Sequence, residues 1–139
     1  MPSSRNIAPP GDRAPLAFVY DRCTSRGVRA RDELDMRLTG CHTYADGMGW
    51  VLASRWVDLG AEAMRTERPQ LAVLLDAMRK ERGRREVLCL VHTWGRLATD
   101  DTHRQLLQRR IVEAGGWTCT TFGESDHHSA RAALVDRLA

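Results

Sequence analysis

In the stretch FVYDRCTSRG, residues 18–27, an apolar run leads into Arg22, with two hydroxyl side chains, Thr24 and Ser25, just beyond it. Arginine presents a planar, permanently charged fork that fits phosphate oxygens, and a hydroxyl can act as nucleophile through a covalent intermediate. Arg68 and Arg96 follow two other candidate strand ends. Three guanidinium groups around one hydroxyl are the inventory of a phosphoryl-transfer site, in which fixed cations stabilise the charge that builds on the oxygens of phosphorus. Taken singly, each of these arginines is expected to be a solvated surface side chain. Only their joint placement would make a site, and that placement depends on the elements that carry them.

Residues 16–22 are short, apolar and rich in strand formers, as expected of a strand covered on both faces. After the loop CTSRGVRAR, Asp32 is positioned to cap a helix with Leu34, Leu38, Cys41 and Ala45 along one side, ended by the glycines of DGMGW. A second strand is expected over residues 50–58, then a polar loop over 59–67. Pro69 suits the first turn of a helix whose apolar side is Leu71, Leu74, Leu75 and Met78. The third strand, VLCLVHTW, spans residues 87–94 and is the most apolar. Asp100 or Asp101 then caps a helix through Leu106, Leu107, Ile111 and Val112, and WTCTTF gives a fourth strand. Strands alternating with helices, without hairpin signals, predict an α/β fold: a three-layer domain with a central, mostly parallel sheet. In such sheets functional groups gather beyond the carboxyl ends of the strands. Arg22, Arg68 and Arg96 all fall on that rim.

The chain has 139 residues, a net charge of +3 and 28% charged side chains, which fits a single globular domain and excludes a disordered one. Nearly all the positive charge is arginine, with Lys80 the only lysine, and so modest a net charge does not by itself identify a nucleic-acid partner. Cys23, Cys41, Cys89 and Cys119 are dispersed, without C-x-x-C or metal-type spacing, so reduced thiols, a cytoplasmic location and no metal or cofactor are expected. Asp126, His127 and His128 lack a spaced partner set and read as a solvated turn rather than a metal site. No apolar run approaches membrane-spanning length. Residues 1–15 hold four of the five prolines and are read as a flexible tail, residues 16–126 as the domain, and residues 127–139 as a short C-terminal helix.

Over about residues 16–126 the sequence resembles the N-terminal catalytic domain of the serine site-specific recombinases of the resolvase and invertase type. The family pattern Y-x-R-x-S appears as Tyr20, Asp21, Arg22, Cys23 and Thr24. LDMRL, residues 34–38, stands where the family has L-x-x-Q, with Arg37 in place of the glutamine. Asp58, a glycine-containing loop and Arg68-Pro69-Gln70-Leu71 resemble D-x-x-x-S-G through R-x-x-L. WGRLATD resembles L-D-R-L-S-R-D, with Gly95 replacing the aspartate and Thr99 the second arginine. The resemblance implies a resolvase-like catalytic-domain fold, attack of the hydroxyl at position 24 on a DNA phosphodiester, phosphate binding by Arg22, Arg68 and Arg96, and dimers that pair for strand exchange.

The departures set the functional expectation. A threonine nucleophile carries a branched Cβ that restricts χ1 and adds a methyl group. Ser25 is one residue out of register, and in an extended segment it would face away from Thr24. Losing one transition-state contact is worth about 3 kcal/mol, or about a hundredfold in rate. A recombinase-type domain with impaired catalysis is therefore expected, contacting DNA weakly and without sequence preference, with a homodimer admitted by the resemblance. The alternative is a non-enzymatic interaction or regulatory module derived from a recombinase. A third reading is a working recombinase that uses Thr24 or Ser25 while a partner supplies DNA binding. The segment 127–139 offers only about three turns of helix at 1.5 Å per residue, and no reader element follows it, so independent site recognition is not expected.

Overall fold

The computed structural model describes residues 14–128 and Ala130. Four strands, β1 (Leu16–Cys23), β2 (Val51–Leu59), β3 (Val87–Val91) and β4 (Thr118–Thr120), form one sheet in the order β2-β1-β3-β4. Every pairing between these four strands is parallel, and an isolated bridge from Cys119 to Ser125 is antiparallel. Three helices connect the strands: α1 (Val28–Met48), α2 (Pro69–Glu81) and α3 (Asp101–Glu113). The expected α/β three-layer architecture is present.

Strand alternation divides the core in two. Leu16, Phe18 and Tyr20 of β1 pack with Leu71, Leu74, Leu75 and Met78 of α2 and with Leu107 and Ile111 of α3. Ala17 and Val19 face the other way, onto Leu38, Cys41 and Ala45 of α1 and onto Trp117 and Cys119. The same parity continues past the apolar residues. Arg22 therefore belongs to the α2 face and Asp21 to the α1 face, a division that decides the chemistry at the strand ends.

Three element boundaries differ from the sequence reading. Asp32 does not cap α1; the helix begins at Val28, after Gly27 in a φ of 105° that a side chain would disfavour. The four-residue spacing of Leu34 and Leu38 extends back to buried Ala30, which lengthens the helix toward its N-terminus. Gly49 ends it in the left-handed region, as expected of a C-terminal glycine. β3 stops at Val91, because the chain turns after His92 into a short 3₁₀ turn, Trp94–Arg96, while the His92 carbonyl accepts bonds from Thr121. β4 is likewise shorter than WTCTTF, since Thr120 Oγ1 accepts from the backbone of Phe122 and Glu124 to close a turn. The supposed polar loop after β2 contains another 3₁₀ turn, Gly60–Met64, that buries Ala63. Most of the proline-rich segment 1–15 and of the C-terminal segment 127–139 lies outside the described residues; His127, His128 and Ala130 are helical.

All four cysteines are free and buried. Burial pushes the Cys41 thiol up to about 12 and those of Cys89 and Cys119 upward as well. Thiolate is the reactive species, so Cys41, Cys89 and Cys119 should resist a thiol reagent at pH 8 in native protein and react only after denaturation. Counting the chromogenic thiols released before and after adding guanidinium checks this.

Candidate functional site

Arg22 leaves the end of β1, Arg68 stands immediately before α2, and Arg96 closes the 3₁₀ turn after β3. The three interlock. Arg22 donates from Nε (3.0 Å) and Nη2 (2.8 Å) to the Gly95 carbonyl, and Arg96 Nη2 donates back to the Arg22 carbonyl, 74 residues away in sequence. Arg68 Nη1 donates to the Leu97 carbonyl, so all three side chains bear on residues 95–97 or the strand end beside them. Burial, followed by the like charges of Arg68 and Arg96, pulls the Arg22 guanidinium below its ordinary value. Cations so grouped favour an anion among them.

Several of these donors are already used. Arg22 Nη2 also reaches Thr99 Oγ1 at 2.8 Å, the residue standing where the resemblance places another arginine, and Nη1 reaches the Ala63 carbonyl at 3.4 Å. Arg68 Nε donates to the Arg65 carbonyl at 2.6 Å. Arg68 Nη2, by contrast, is buried without a partner among the described residues, in a side chain whose residue is only 2% exposed. Such an orphaned donor calls for an explanation, and a bound oxyanion or a water supplies one.

Thr24 and Ser25 lie in the exposed loop directly after β1. The strand ends at Cys23, so the alternation that would turn Ser25 away from Thr24 has lapsed by that point. Neither hydroxyl has a hydrogen-bond partner among the described residues; the Ser25 carbonyl accepts from the Cys23 thiol at 3.5 Å. The structure thus brings the three arginines together and leaves both hydroxyls exposed on the loop directly after β1.

Two buried carboxylates organise this rim, and neither was assigned a role from the sequence. Asp58, 1% exposed, accepts from the backbone N–H of Gln70 (2.8 Å) and Leu71 (3.0 Å), and from Tyr20 Oη (2.8 Å). It supplies from β2 the N-terminal cap that α2, entered through Arg68 and Pro69, does not provide for itself. Burial first, and then Asp58, push the Tyr20 phenol upward, against the opposing pull of Arg68. Asp58→Ala orphans two helix N–H groups and a buried phenol, and is expected to cost roughly 3 kcal/mol. Urea denaturation of the variant measures that loss.

Asp21, also 1% exposed, receives Arg37 in a two-pronged pair, Nε at 2.9 Å and Nη2 at 3.0 Å. Arg96 Nε approaches the same carboxylate at 3.4 Å, as an ion pair whose angle is not that of a hydrogen bond. Asp21 raises the Arg37 guanidinium above its ordinary value through that bond. The signal was present in the sequence: β-strand parity puts position 21 on the α1 face, and Arg37 lies on α1.

The remaining polar candidates sort simply. His127 is not a solvated turn residue: it stacks on Trp117, with centroids 4.1 Å apart, and pairs with Glu86 at 2.9 Å. Trp117 is core packing, and Trp94 carries Arg104 over its ring at 5.5 Å. No group of three or more metal-ligating side chains is found among the described residues. No helix among them is long and apolar enough to cross a membrane.

Three solved structures similar to this chain are site-specific or serine recombinases or their catalytic domains. The chain superposes on the N-terminal catalytic domain of TP901-1 integrase with a TM-score of 0.65 and 18% identity, covering 86% of this chain and 87% of that one. For the C-terminal catalytic domain of ISC1926 TnpA, an IS607-like serine recombinase, the TM-score is 0.62 at 18% identity, over 78% and 71% of the two chains. For a resolvase family site-specific recombinase from Streptococcus pneumoniae it is 0.65 at 13% identity, over 88% and 87%. No family model matches the sequence, and no curated protein matches it. At these identities the likeness is one of fold, and the fold is that of a resolvase-like catalytic domain.

Proposed function

We propose that this chain is a degenerate member of the serine site-specific recombinases, binding a DNA phosphate on Arg22, Arg68 and Arg96 with Thr24 at the nucleophile position and with catalysis impaired. The carrying observation is the meeting of those three guanidinium groups at the strand ends, with the orphaned Nη2 of Arg68 among them. In the corresponding reaction the Thr24 hydroxyl oxygen bonds to phosphorus, the bond to the 3′ oxygen breaks, the arginines stabilise the charge on the non-bridging oxygens, and the hydroxyl proton passes to the departing 3′ oxygen through solvent. Impairment follows from the threonine methyl, from Thr99 in place of a cation, and from the engagement of Arg22 with Gly95 and Thr99.

The same engagement favours a second reading. Arg22 and Arg68 give most of their donors to the backbone carbonyls of Ala63, Arg65, Gly95 and Leu97, which is what a purely architectural role requires. In that reading the chain is an interaction module on a recombinase scaffold, and DNA is not its partner.

Salt dependence of binding to nonspecific duplex DNA separates the two. Each neutralised phosphate contributes about −0.9 to the slope of log affinity against log salt, so three contacts give about −2.7 and Arg96→Gln lowers the magnitude by about 0.9. A flat response, or a slope that Arg96→Gln leaves unchanged, removes DNA phosphate from the role of these arginines. Incubation with a suicide DNA substrate tests the impairment: little or no covalent adduct is expected, and a robust adduct abolished by Thr24→Ala would overturn it.

A further inference from the structure

The opposite end of the sheet holds a second cationic site. Before β3 the chain turns through Arg82, Arg84, Arg85 and Glu86, and beside that turn lies a cavity of about 530 Å³ bounded on its other side by Trp117 and His127. Because every strand is parallel, this cavity lies at the amino ends of β3 and β4, away from the rim that carries Arg22, Arg68 and Arg96. The volume is that of a small-molecule pocket.

Its two walls differ in chemistry. On the basic wall, Arg82 uses Nη1 on the Glu113 carbonyl (3.2 Å), and Arg85 holds the Ala14 carbonyl through Nε and Nη2. The Arg84 guanidinium and Arg85 Nη1 have no hydrogen-bond partner among the described residues. On the aromatic wall, the His127 ring lies parallel to the indole of Trp117, 16° between planes at 4.1 Å. Both rings are fixed by one carboxylate oxygen: Glu86 Oε2 accepts from Trp117 Nε1 at 2.8 Å and pairs with His127 Nε2 at 2.9 Å. The His127 side chain retains 35% of its exposure, so the stack presents a preset aromatic surface to the cavity.

Unengaged guanidinium donors and a preset aromatic platform line the same cavity and match two parts of one ligand. We propose that this cavity binds a nucleoside monophosphate unit, its phosphate held by Arg84 and Arg85 and its base stacked against His127 over Trp117. The unit could come from free nucleotide or from the 5′ end of a DNA strand, and the chemistry of recognition is shared. This site is independent of the proposed DNA-phosphate rim and stands if that reading fails.

The test titrates full-length ¹⁵N-labelled protein with AMP, with ribose 5-phosphate, and with a short single-stranded oligonucleotide bearing either a 5′ phosphate or a 5′ hydroxyl. The expected result is saturable movement of the Trp117 indole N–H signal with AMP, with binding weakened about tenfold or more, or at least 1.4 kcal/mol, by Arg84→Ala and by His127→Ala. Ribose 5-phosphate should bind at least about tenfold more weakly than AMP. Arg96→Gln should leave AMP binding unchanged. If the 5′-phosphorylated strand binds more tightly than both AMP and its hydroxyl counterpart, the natural source is a strand end; if AMP is tighter, it is free nucleotide. Equal affinity for AMP and ribose 5-phosphate would reduce the site to a patch of positive charge and overturn the proposal, as would a Trp117 signal unmoved at millimolar AMP. Arg84 is exposed, so its variant keeps the test valid even if His127→Ala disturbs folding.

Discussion

Asp21→Ala is expected to remove about 3–5 kcal/mol of stability, the cost of stripping one partner from a buried ion pair. Asp21 is 1% exposed and is the only carboxylate among the described residues that meets Arg37 or Arg96. Without it, a guanidinium 16% exposed and another 27% exposed remain beside each other with no counter-charge. A domain of this size is stable by about 5–15 kcal/mol, so the loss is a large fraction of the whole. Urea unfolding followed by circular dichroism measures it. The companion variant Asp21→Ala with Arg37→Leu should recover most of the loss, because the cost lies in the unpaired charge and not in the missing attraction. A single-variant loss under about 1 kcal/mol would mean that water reaches Arg37 and screens it, and that the pair does not organise this rim.

The difference between Asp21 and Arg22 shows how far the sequence could be read. The apolar runs of β1 and β3 and the side of α2 formed by Leu71, Leu74, Leu75 and Met78 follow from local pattern, because burial on both faces of a parallel sheet leaves a continuous apolar signature. The convergence of Arg22, Arg68 and Arg96 followed from topology alone, since strand ends in such a sheet share one rim. Bonds to main-chain atoms were not legible in the same way. That Arg22 would spend Nε and Nη2 on the Gly95 carbonyl depends on the chain turning after Val91, and VLCLVHTW gives no periodic sign of that turn. The start of α1 was missed for a related reason. Gly27 reads as a loop residue by type, while in the structure it is the hinge from which the helix begins, and the acidic residue that looks like a cap stands inside the first turns.

Asp58 and Asp21 play opposite parts in setting the site. Asp58 ties β2 to the first turn of α2 and so fixes the backbone from which Arg68 projects. Asp21 draws Arg37 and Arg96 toward the α1 face, while Arg22, one residue on, is turned to the α2 face. The cations therefore reach the rim from both layers around the strand end. Glutamine at position 37, as in the recombinase pattern, would leave Asp21 without its two-pronged partner, so the arginine at 37 is matched to the aspartate at 21.

On the recombinase reading, Thr24→Ser combined with Thr99→Arg is expected to raise the rate of covalent protein–DNA adduct formation by on the order of a thousandfold over the starting protein, about a hundredfold of it from the cation introduced at position 99. Thr99 is exposed and sits directly before the Asp100 cap of α3, so a longer side chain there can extend outward without displacing core. The substitution also removes the hydroxyl that now accepts from Arg22 Nη2, returning that donor to the rim. Without bound anion, a further positive charge next to Arg22, whose guanidinium is already depressed by burial and then by Arg68 and Arg96, should lower stability slightly; with phosphate present the same charge is favourable. The serine change relieves the χ1 restriction and the methyl group at the attacking oxygen. Effects of groups that act together do not multiply simply, so each single variant should give less than its share of the pair. Adduct is read by gel shift after denaturation, on supercoiled plasmid and on a nicked suicide substrate. If the double variant forms none while its fold and DNA affinity are intact, the defect does not lie at positions 24 and 99, and the interaction-module reading gains the ground that the recombinase reading gives up.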